Sequence, residues 1–279
     1  MASIKSASTR IIAVANCKGG VGKTTTSVNL SAGLAAKGIR TLLVDIDYQA
    51  NASRHLLPGR PTSSMYDSLV DETVPLPRIT IKENLDLVPA DDQKMFGIGF
   101  TLTSRAVEAA LRGEPSPDPR KILSRCLAPI ASEYGNVIID CPPSDSLLAL
   151  NALFAADEVL IPVKPEPFGI YGAMTYVNAL TMMLKEAQKA PVVNGYLLTD
   201  YETGSTGHSR CEELLRKHLQ KLVYQTRIRH SRPLYNASLV RQDIFLYAHD
   251  SNGAKDYANF VEEFTNRLNS NEKETHLLR

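Results

Sequence analysis

Residues 11–45 constrain the fold of this chain more than any other segment. An apolar run opens the segment, a glycine-rich turn follows it, and the helical pattern 23–37 then leads through Gly38 to a second apolar run. Glycine directly after a helix favours the left-handed conformation that ends it. The segment therefore predicts a unit of strand, loop, helix and strand.

Short apolar runs continue to alternate with longer helical patterns along the chain, which is typical of a parallel sheet with crossover helices. Most of the runs lack alternating polar residues, as strands covered on both faces do. We therefore predict an α/β fold with a doubly wound, mostly parallel sheet and helices on both faces. The predicted strands are residues 11–16, 41–46, 85–89, 137–140, 159–163 and 193–199.

The length of 279 residues allows one or two domains, and no segment is long enough to be a domain linker. We expect one domain at residues 11–268, between an N-terminal tail at 1–10 and a polar C-terminal tail at 269–279. No apolar run approaches the roughly 18 residues of a membrane span, and the opening run is too short for a secretion signal. A cytoplasmic location is therefore expected. The four scattered cysteines fit neither a disulfide framework nor a zinc site.

The turn between the first strand and the first helix reads Cys17-Lys-Gly-Gly-Val-Gly-Lys-Thr-Thr25. Its glycines allow backbone N–H groups to point at a phosphate chain, and the helix N-terminus behind them favours negative charge. The P-loop pattern G-x-x-x-x-G-K-[ST] places Lys23 on the β- and γ-phosphates and the Thr24 hydroxyl on Mg²⁺. This loop departs from the pattern, since Cys17 stands at its first position and a second lysine follows. The residues predicted to bind nucleotide here are Lys18, Gly19, Gly20, Val21, Gly22, Lys23, Thr24 and Thr25.

Three carboxylates follow apolar strands at the sheet edge where open α/β folds bind ligands. Asp45 and Asp47 come after the second strand, and their spacing of two lets them share one face. One of them can support the Mg²⁺ shell while the other orients the attacking water, although capping a turn stays open for each. Asp140 ends another apolar strand and is a candidate to hold the metal through a water.

Residues 18–25 resemble the signature of the ParA/MinD superfamily of dimerising ATPases, and within it the ParA/Soj branch that positions plasmids, chromosomes and other cargo. Residues 45–53 are similar to the D-x-D-P-Q-x-N-A-[ST] switch segment of that branch, with Tyr48 where proline is usual. Residues 136–144 follow its Walker B strand and second switch. The similarity covers about residues 11–265 and is weak in 54–130.

The resemblance implies a P-loop NTPase fold of the deviant Walker A type, with ATP and Mg²⁺ as cofactors. It implies that Asp47 orients the attacking water and that Lys18 crosses a two-fold interface to the nucleotide of the partner subunit. ATP would then favour a homodimer, and a ParB-like partner would trigger the hydrolysis that releases it. The implied site residues are Lys18, Lys23 and Asp47 for catalysis, Thr24, Asp45 and Asp140 for the metal, and Thr199 and Arg229 beside the nucleotide.

Basic residues are concentrated in residues 205–241. This segment contains eight lysines and arginines but only two acidic residues, Glu212 and Glu213, in a chain of net charge +1. Such a segment is an electrostatic footprint for nucleic acid, although many cationic stripes are only solvated surface. On a helix predicted to start near Ser209, three of the cations share one face. The resemblance favours nonspecific double-stranded DNA and a nucleoid-associated ATP form. The candidate residues are Arg210, Lys217, Lys221, Arg227, Arg232 and Arg241.

The chain departs from the branch at further positions. Residues 228–231 read Ile-Arg-His-Ser where the branch often has I-P-R-N, and Gly204 stands where a DNA-contacting arginine is common. Only ten residues precede the first strand, so we expect no N-terminal helix-turn-helix and no operator-specific repression.

Three other functions use a similar loop. A membrane-associated ATPase of the MinD kind needs a C-terminal amphipathic helix, but residues 269–279 are largely polar. An iron–sulfur carrier needs paired cysteines, and Cys126 and Cys141 are not paired in spacing. A nucleotide-gated switch that neither hydrolyses ATP nor binds DNA would lack a water-positioning group, whereas Asp47 is present. Measured ATP turnover separates that switch from an ATPase.

Overall fold

A single twisted sheet organises the chain in the computed structural model, which describes residues 9–115, 117–143, 146–183 and 190–269. The strands stand in the order β3-β4-β2-β5-β1-β6-β7-β8, and all neighbours are parallel except β3 and β4. Their bounds are β1 (Arg10–Val14), β2 (Thr41–Asp45), β3 (Ile79–Lys82), β4 (Leu85–Val88), β5 (Asn136–Asp140), β6 (Glu158–Val163), β7 (Val192–Tyr201) and β8 (Val223–Arg229).

Helices connect the parallel strands, as crossover connections require. Short 3₁₀ turns lie at Pro119–Lys121, Ala131–Glu133 and Gln220–Leu222. The α-helices of the described part are α1 (Lys23–Ala36), α2 (Asn51–Leu56), α3 (Met65–Val70), α4 (Asp92–Met95), α5 (Ile98–Leu111), α6 (Ile122–Leu127), α7 (Leu147–Ala155), α8 (Pro167–Met183), α9 (Thr206–Leu219), α10 (Arg232–Leu239), α11 (Ile244–Tyr247) and α12 (Asn252–Asn269).

Two hydrophobic cores cover the two faces of the sheet. In β1, Ile12 and Val14 belong to the core that α1 and α12 share, whereas Ala13 belongs to the core on the side of α6, α7 and α8. Successive residues of a strand point to opposite faces, so a strand between two helical layers must be apolar throughout. The predicted doubly wound α/β fold is confirmed.

The edges of the sheet differ from the sequence prediction. β3 and β8 were not predicted, because both are edge strands whose half-exposed, alternating residues lack the continuous apolar signal of buried strands. Arg10 belongs to β1 and not to the predicted tail, since it pairs in register with Asn136. Residues 1–8 and 270–279, which make up most of the two predicted tails, lie outside the described residues.

Within the described residues, none of the helices combines the length and the apolar character that crossing a bilayer requires.

Candidate functional site: a phosphate loop beside three carboxylates

The glycine-rich turn joins β1 to α1 at the carboxyl edge of the sheet. Gly20 and Gly22 have φ angles of 69° and 82°, in the left-handed region that glycine adopts without strain. Gly22 is the residue before α1, and no side chain of the described residues caps the first turn of that helix. Backbone N–H groups at an uncapped helix start attract anions, so the turn has the form of a phosphate-binding loop.

Lys23 lies inside this turn. Its side chain is buried, and its Nζ donates a hydrogen bond of 3.0 Å to the carbonyl of Lys18. Burial lowers the pKa of Lys23, while the nearby carboxylates of Asp140 and Asp47 oppose that shift. The ammonium therefore lies in the loop, within the electrostatic reach of the two predicted acidic groups.

Two polar side chains brace the loop from neighbouring strands. The side-chain Nδ2 of Asn16 donates to the carbonyl of Pro162 at 2.8 Å, and its side-chain Oδ1 accepts the backbone N–H of Lys18 at 3.0 Å. Thr199, near the end of β7, donates from Oγ1 to the carbonyl of Val21 at 2.9 Å. Thr199 therefore contacts the loop, and its predicted role beside the nucleotide stays a prediction. The sequence prediction missed Asn16, whose one signal is a polar residue directly after an apolar strand.

Asp45 and Asp140 are register partners at the carboxyl ends of β2 and β5. Asp140 Oδ1 accepts a hydrogen bond of 2.9 Å from Ser27 in α1, whereas Oδ2 is buried and has no partner among the described residues. A buried carboxylate oxygen without a partner is costly, and a hard cation satisfies it well. Asp140, with the Thr24 hydroxyl close to it, is therefore a donor set that fits Mg²⁺.

Asp45 is fully buried and organises the loop that follows it. Its Oδ2 accepts hydrogen bonds from the backbone and side chain of Ser53 at 2.8 and 2.7 Å, and its Oδ1 accepts the backbone N–H of Asp47 at 3.1 Å. These three donors use most of the acceptor capacity of the Asp45 carboxylate. Asp45 therefore caps the turn that follows β2, which is the alternative considered above, and its contribution to the metal shell stays a prediction.

Asp47 lies in the turn between β2 and α2. Its Oδ1 accepts the backbone N–H of Gln49 at 3.0 Å, and its side chain is nearly buried. Burial raises the pKa of Asp47, and the charge of Lys23 opposes the shift. Asp47 therefore stands within the electrostatic reach of the loop lysine, and its predicted role in orienting the attacking water stays a prediction.

Crowding of the three carboxylates has an electrostatic cost. Burial raises the pKa of Asp45 and of Asp140. The charge of Asp47 raises the pKa of Asp45 further, and the charges of Asp45 and Asp47 raise the pKa of Asp140 further. Bound Mg²⁺ would offset this mutual repulsion.

Lys18 pairs with a carboxylate of its own chain. Its Nζ forms an ion pair of 2.6 Å with Glu166, directly before α8. Its ammonium is therefore held by the subunit's own residue, at the surface.

Arg229 has a structural partner at the end of β8. Its guanidinium forms a two-pronged pair with Asp256 of α12, with contacts of 2.6 to 3.2 Å, and its backbone N–H also donates to Asp256. Among the described residues no contact joins it to the phosphate loop. Its predicted role beside the nucleotide stays a prediction.

The predicted DNA-contacting residues are all exposed, but they do not lie on one helix. Arg210 and Lys217 are on α9, which begins at Thr206 and not near Ser209. The placement of Lys221 on that helix is wrong, because Gln220 adopts a φ of 44° that ends α9 at Leu219. The other three candidates lie on or after later elements: Arg227 on β8, Arg232 at the start of α10, and Arg241 after α10.

Internal ion pairs divide these cations into two groups. Arg227 and Arg216 both contact Glu212 Oε1 at 2.8 Å, and Arg227 also lies over the ring of Tyr201. Within the described part of the chain the other candidates form no ion pair. These are Arg210, Lys217, Lys221, Arg232 and Arg241. The free positive charge is therefore smaller than the sequence count indicates.

Comparisons with known proteins agree with this geometry. A family model described as an AAA domain matches residues 9–192. The chain is 36% identical over 258 residues to the sporulation initiation inhibitor protein Soj of Bacillus subtilis, covering 91% of this chain and 97% of that protein. It is 34% identical over 264 residues to the chromosome partitioning protein ParA of Myxococcus xanthus, covering 92% and 88%. The structure of cobyrinic acid a,c-diamide synthase from Mycobacterium smegmatis, with bound ATP analogue and magnesium, matches with a TM-score of 0.75 at 28% identity, covering 94% of this chain and 96% of that one.

Proposed function

Because this chain belongs to the ParA/Soj family of the ParA/MinD superfamily of P-loop ATPases, we propose that it positions a plasmid, a chromosome or another cargo as an ATP-dependent, DNA-binding dimer. The chain is an ATP hydrolase that uses Mg²⁺. One observation supports the nucleotide site of this proposal. Lys23 opens α1 without a side-chain cap, and Asp140, bonded to Ser27 of the same helix, has a buried oxygen with no hydrogen-bond partner among the described residues.

The phosphates of ATP would lie against the backbone N–H groups of the glycine-rich turn, with Lys23 on the β- and γ-phosphates. For this, the Lys23 ammonium exchanges the carbonyl of Lys18 for phosphate oxygens. Thr24 and Asp140 would hold Mg²⁺, and Asp45 would support the shell through the switch loop that it anchors. The metal neutralises charge that develops on the phosphate oxygens.

Asp47 would orient the attacking water. Its position in the turn after β2 places it beside Lys23. Lys18 would contribute positive charge to the nucleotide of the partner subunit, as an arginine finger does. Each site is then complete only in the dimer, so ATP favours association and hydrolysis releases it.

Exposed cations of the C-terminal third that form no ion pair with another described residue support the proposed DNA contact. Phosphate contacts of this kind give sequence-independent affinity that falls steeply with salt. A dimer doubles the number of such contacts, which links DNA binding to the nucleotide state. We propose a cytoplasmic protein that associates with the nucleoid in its ATP form and is released when a ParB-like partner triggers hydrolysis.

Binding to duplex DNA under two nucleotides tests this proposal. Fluorescence anisotropy would compare labelled duplexes of unrelated sequence, with Mg²⁺ and either a non-hydrolysable ATP analogue or ADP. We expect binding with the analogue that does not depend on sequence, and weak binding with ADP. The matched control is Lys23→Ala, which should bind DNA equally weakly under both nucleotides. Equal binding of the unaltered chain under both nucleotides, or no binding, would refute the partition function and leave the ATPase intact.

A further inference from the structure

The ion pair between Lys18 and Glu166 is at the surface that the proposed dimer would use. The Nζ–Oε2 distance is 2.6 Å, and the two side chains are 37% and 48% exposed. An ammonium that is held by a carboxylate of its own subunit cannot at the same time reach a neighbouring subunit's nucleotide. The pair therefore competes with the role proposed above for Lys18.

Glu166 is presented by a rigid turn. Its backbone N–H donates to the carbonyl of Lys164 at 2.8 Å, and its own carbonyl accepts the N–H of Ile170 at 3.0 Å. A Cβ on Gly169 would lie 2.6 Å from the carbonyl oxygen of Lys164, so this tight approach requires glycine. These backbone contacts thus fix the position of the Glu166 backbone, from which the carboxylate side chain extends.

Lys18 is fixed at its backbone as well. The side chain of Asn16 accepts its N–H, and in the nucleotide-free chain Lys23 also donates to its carbonyl. Two backbones held in this way bring the two charges together without a large loss of side-chain freedom. Glu166 is ionised at neutral pH, because the hydrogen bond from Lys18 keeps the pKa of this carboxyl below its ordinary value.

We propose that Glu166 is a latch that holds Lys18 on its own subunit and releases it when two ATP-bound subunits meet. This inference rests on the dimer of the proposed function and adds a positioning residue to it. A second ion pair, between Lys164 and Asp200 at 2.7 Å, lies beside the latch. Lys164 also acts electrostatically on Glu166, so the carboxylate that gives up Lys18 keeps a neighbouring cation.

Removal of the latch should make the dimer tighter. In the unaltered chain, two Lys18–Glu166 pairs must break for each dimer that forms. A variant without these two exposed ion pairs avoids that cost, so its dimer Kd should be about 2- to 30-fold lower. Sedimentation equilibrium with Mg²⁺ and a non-hydrolysable ATP analogue would compare the unaltered chain with Glu166→Gln. The matched control is Glu202→Gln, which removes the same charge from an exposed residue that forms no ion pair among the described residues. The control Kd should be unchanged.

The latch itself is measured without a dimer. In the nucleotide-free chain, an amine-acylating reagent and mass spectrometry would give the reaction rate at Lys18. We expect a faster rate in Glu166→Gln than in the unaltered chain, since an ammonium held against a carboxylate at 2.6 Å is less accessible to the reagent. Equal rates would refute the ion pair. A faster rate with a weaker or unchanged dimer would refute the latch, because Glu166 would then stabilise the dimer or have no effect on it. If the unaltered chain never dimerises, the proposed function fails, while the acylation rates still decide whether the pair exists.

Discussion

Ser27 in α1 donates a hydrogen bond of 2.9 Å to Asp140 at the end of β5. The bond joins the helix that follows the phosphate loop to the strand that supplies the candidate metal ligand. Ser27 is fully buried, so water cannot replace it as a donor. The carboxylate is thus oriented by the helix that follows the glycine-rich turn.

Replacing Ser27 by alanine should destabilise the fold. Loss of a donor to a buried carboxylate costs about 1–3 kcal/mol. Urea denaturation should show that loss for Ser27→Ala. Ser31→Ala is the matched control in the same helix, because its hydroxyl is buried without a partner among the described residues. Equal destabilisation by the two changes would contradict the orienting role of Ser27.

Asp47→Ala should abolish ATP turnover and leave ATP-bound dimers intact. The reason is that Asp47 is proposed to orient the attacking water, whereas the loop is proposed to hold the nucleotide. Phosphate release should fall at least about 100-fold, a loss typical of removing a general base or water-positioning group. Asp71→Ala, at an exposed carboxylate bonded to Thr73, should keep full turnover. Retained turnover in Asp47→Ala would remove its assigned role.

The salt dependence of DNA binding should separate the unpaired cations from the paired one. Lys217→Ala and Lys221→Ala should each flatten the plot of log affinity against log salt by up to about 0.9, as one lost phosphate contact does. Arg227→Ala should change the slope less, because Glu212, which Arg227 shares with Arg216, already offsets part of the charge of that guanidinium. Anisotropy titrations at several salt concentrations measure the slopes. A larger effect from Arg227 would place the DNA on the Glu212 side.

His55 makes stability depend on pH. Its Nε2–H donates to the carbonyl of Gln242 at 2.9 Å, and burial lowers its pKa below the ordinary 6.5. The folded state therefore favours neutral histidine. This contribution is fully present above pH 6.5 and is lost as the pH falls towards the lower folded value. Urea midpoints at several pH values should fall more steeply on acidification in the unaltered chain than in His55→Gln, and parallel curves would contradict this.

The central strands and the phosphate loop were predictable because their signals are local. A buried parallel strand is an apolar run, and the loop is one contiguous motif between a strand and a helix. The edge strands β3 and β8 were not predictable in this way, since each pairs on one side only and carries exposed polar residues. Their pairing follows from the tertiary fold.

The supporting residues of the site could not be read from sequence. Ser53 bonds Asp45 across eight positions, and Ser27 bonds Asp140 across 113. Neither separation along the sequence matches a known motif, so it does not indicate that the serine contacts the aspartate. The pairing of Arg227 with Glu212 likewise depends on β8 lying beside α9, and charge counting alone misses it.

The central claim is that ATP completes its site by joining two copies of this chain. Sedimentation equilibrium of the unaltered chain at saturating nucleotide tests it most directly. With Mg²⁺ and a non-hydrolysable ATP analogue, the account predicts a species of twice the 30.6 kDa chain mass, and with ADP a single chain. A mass of 30.6 kDa under both nucleotides would contradict it.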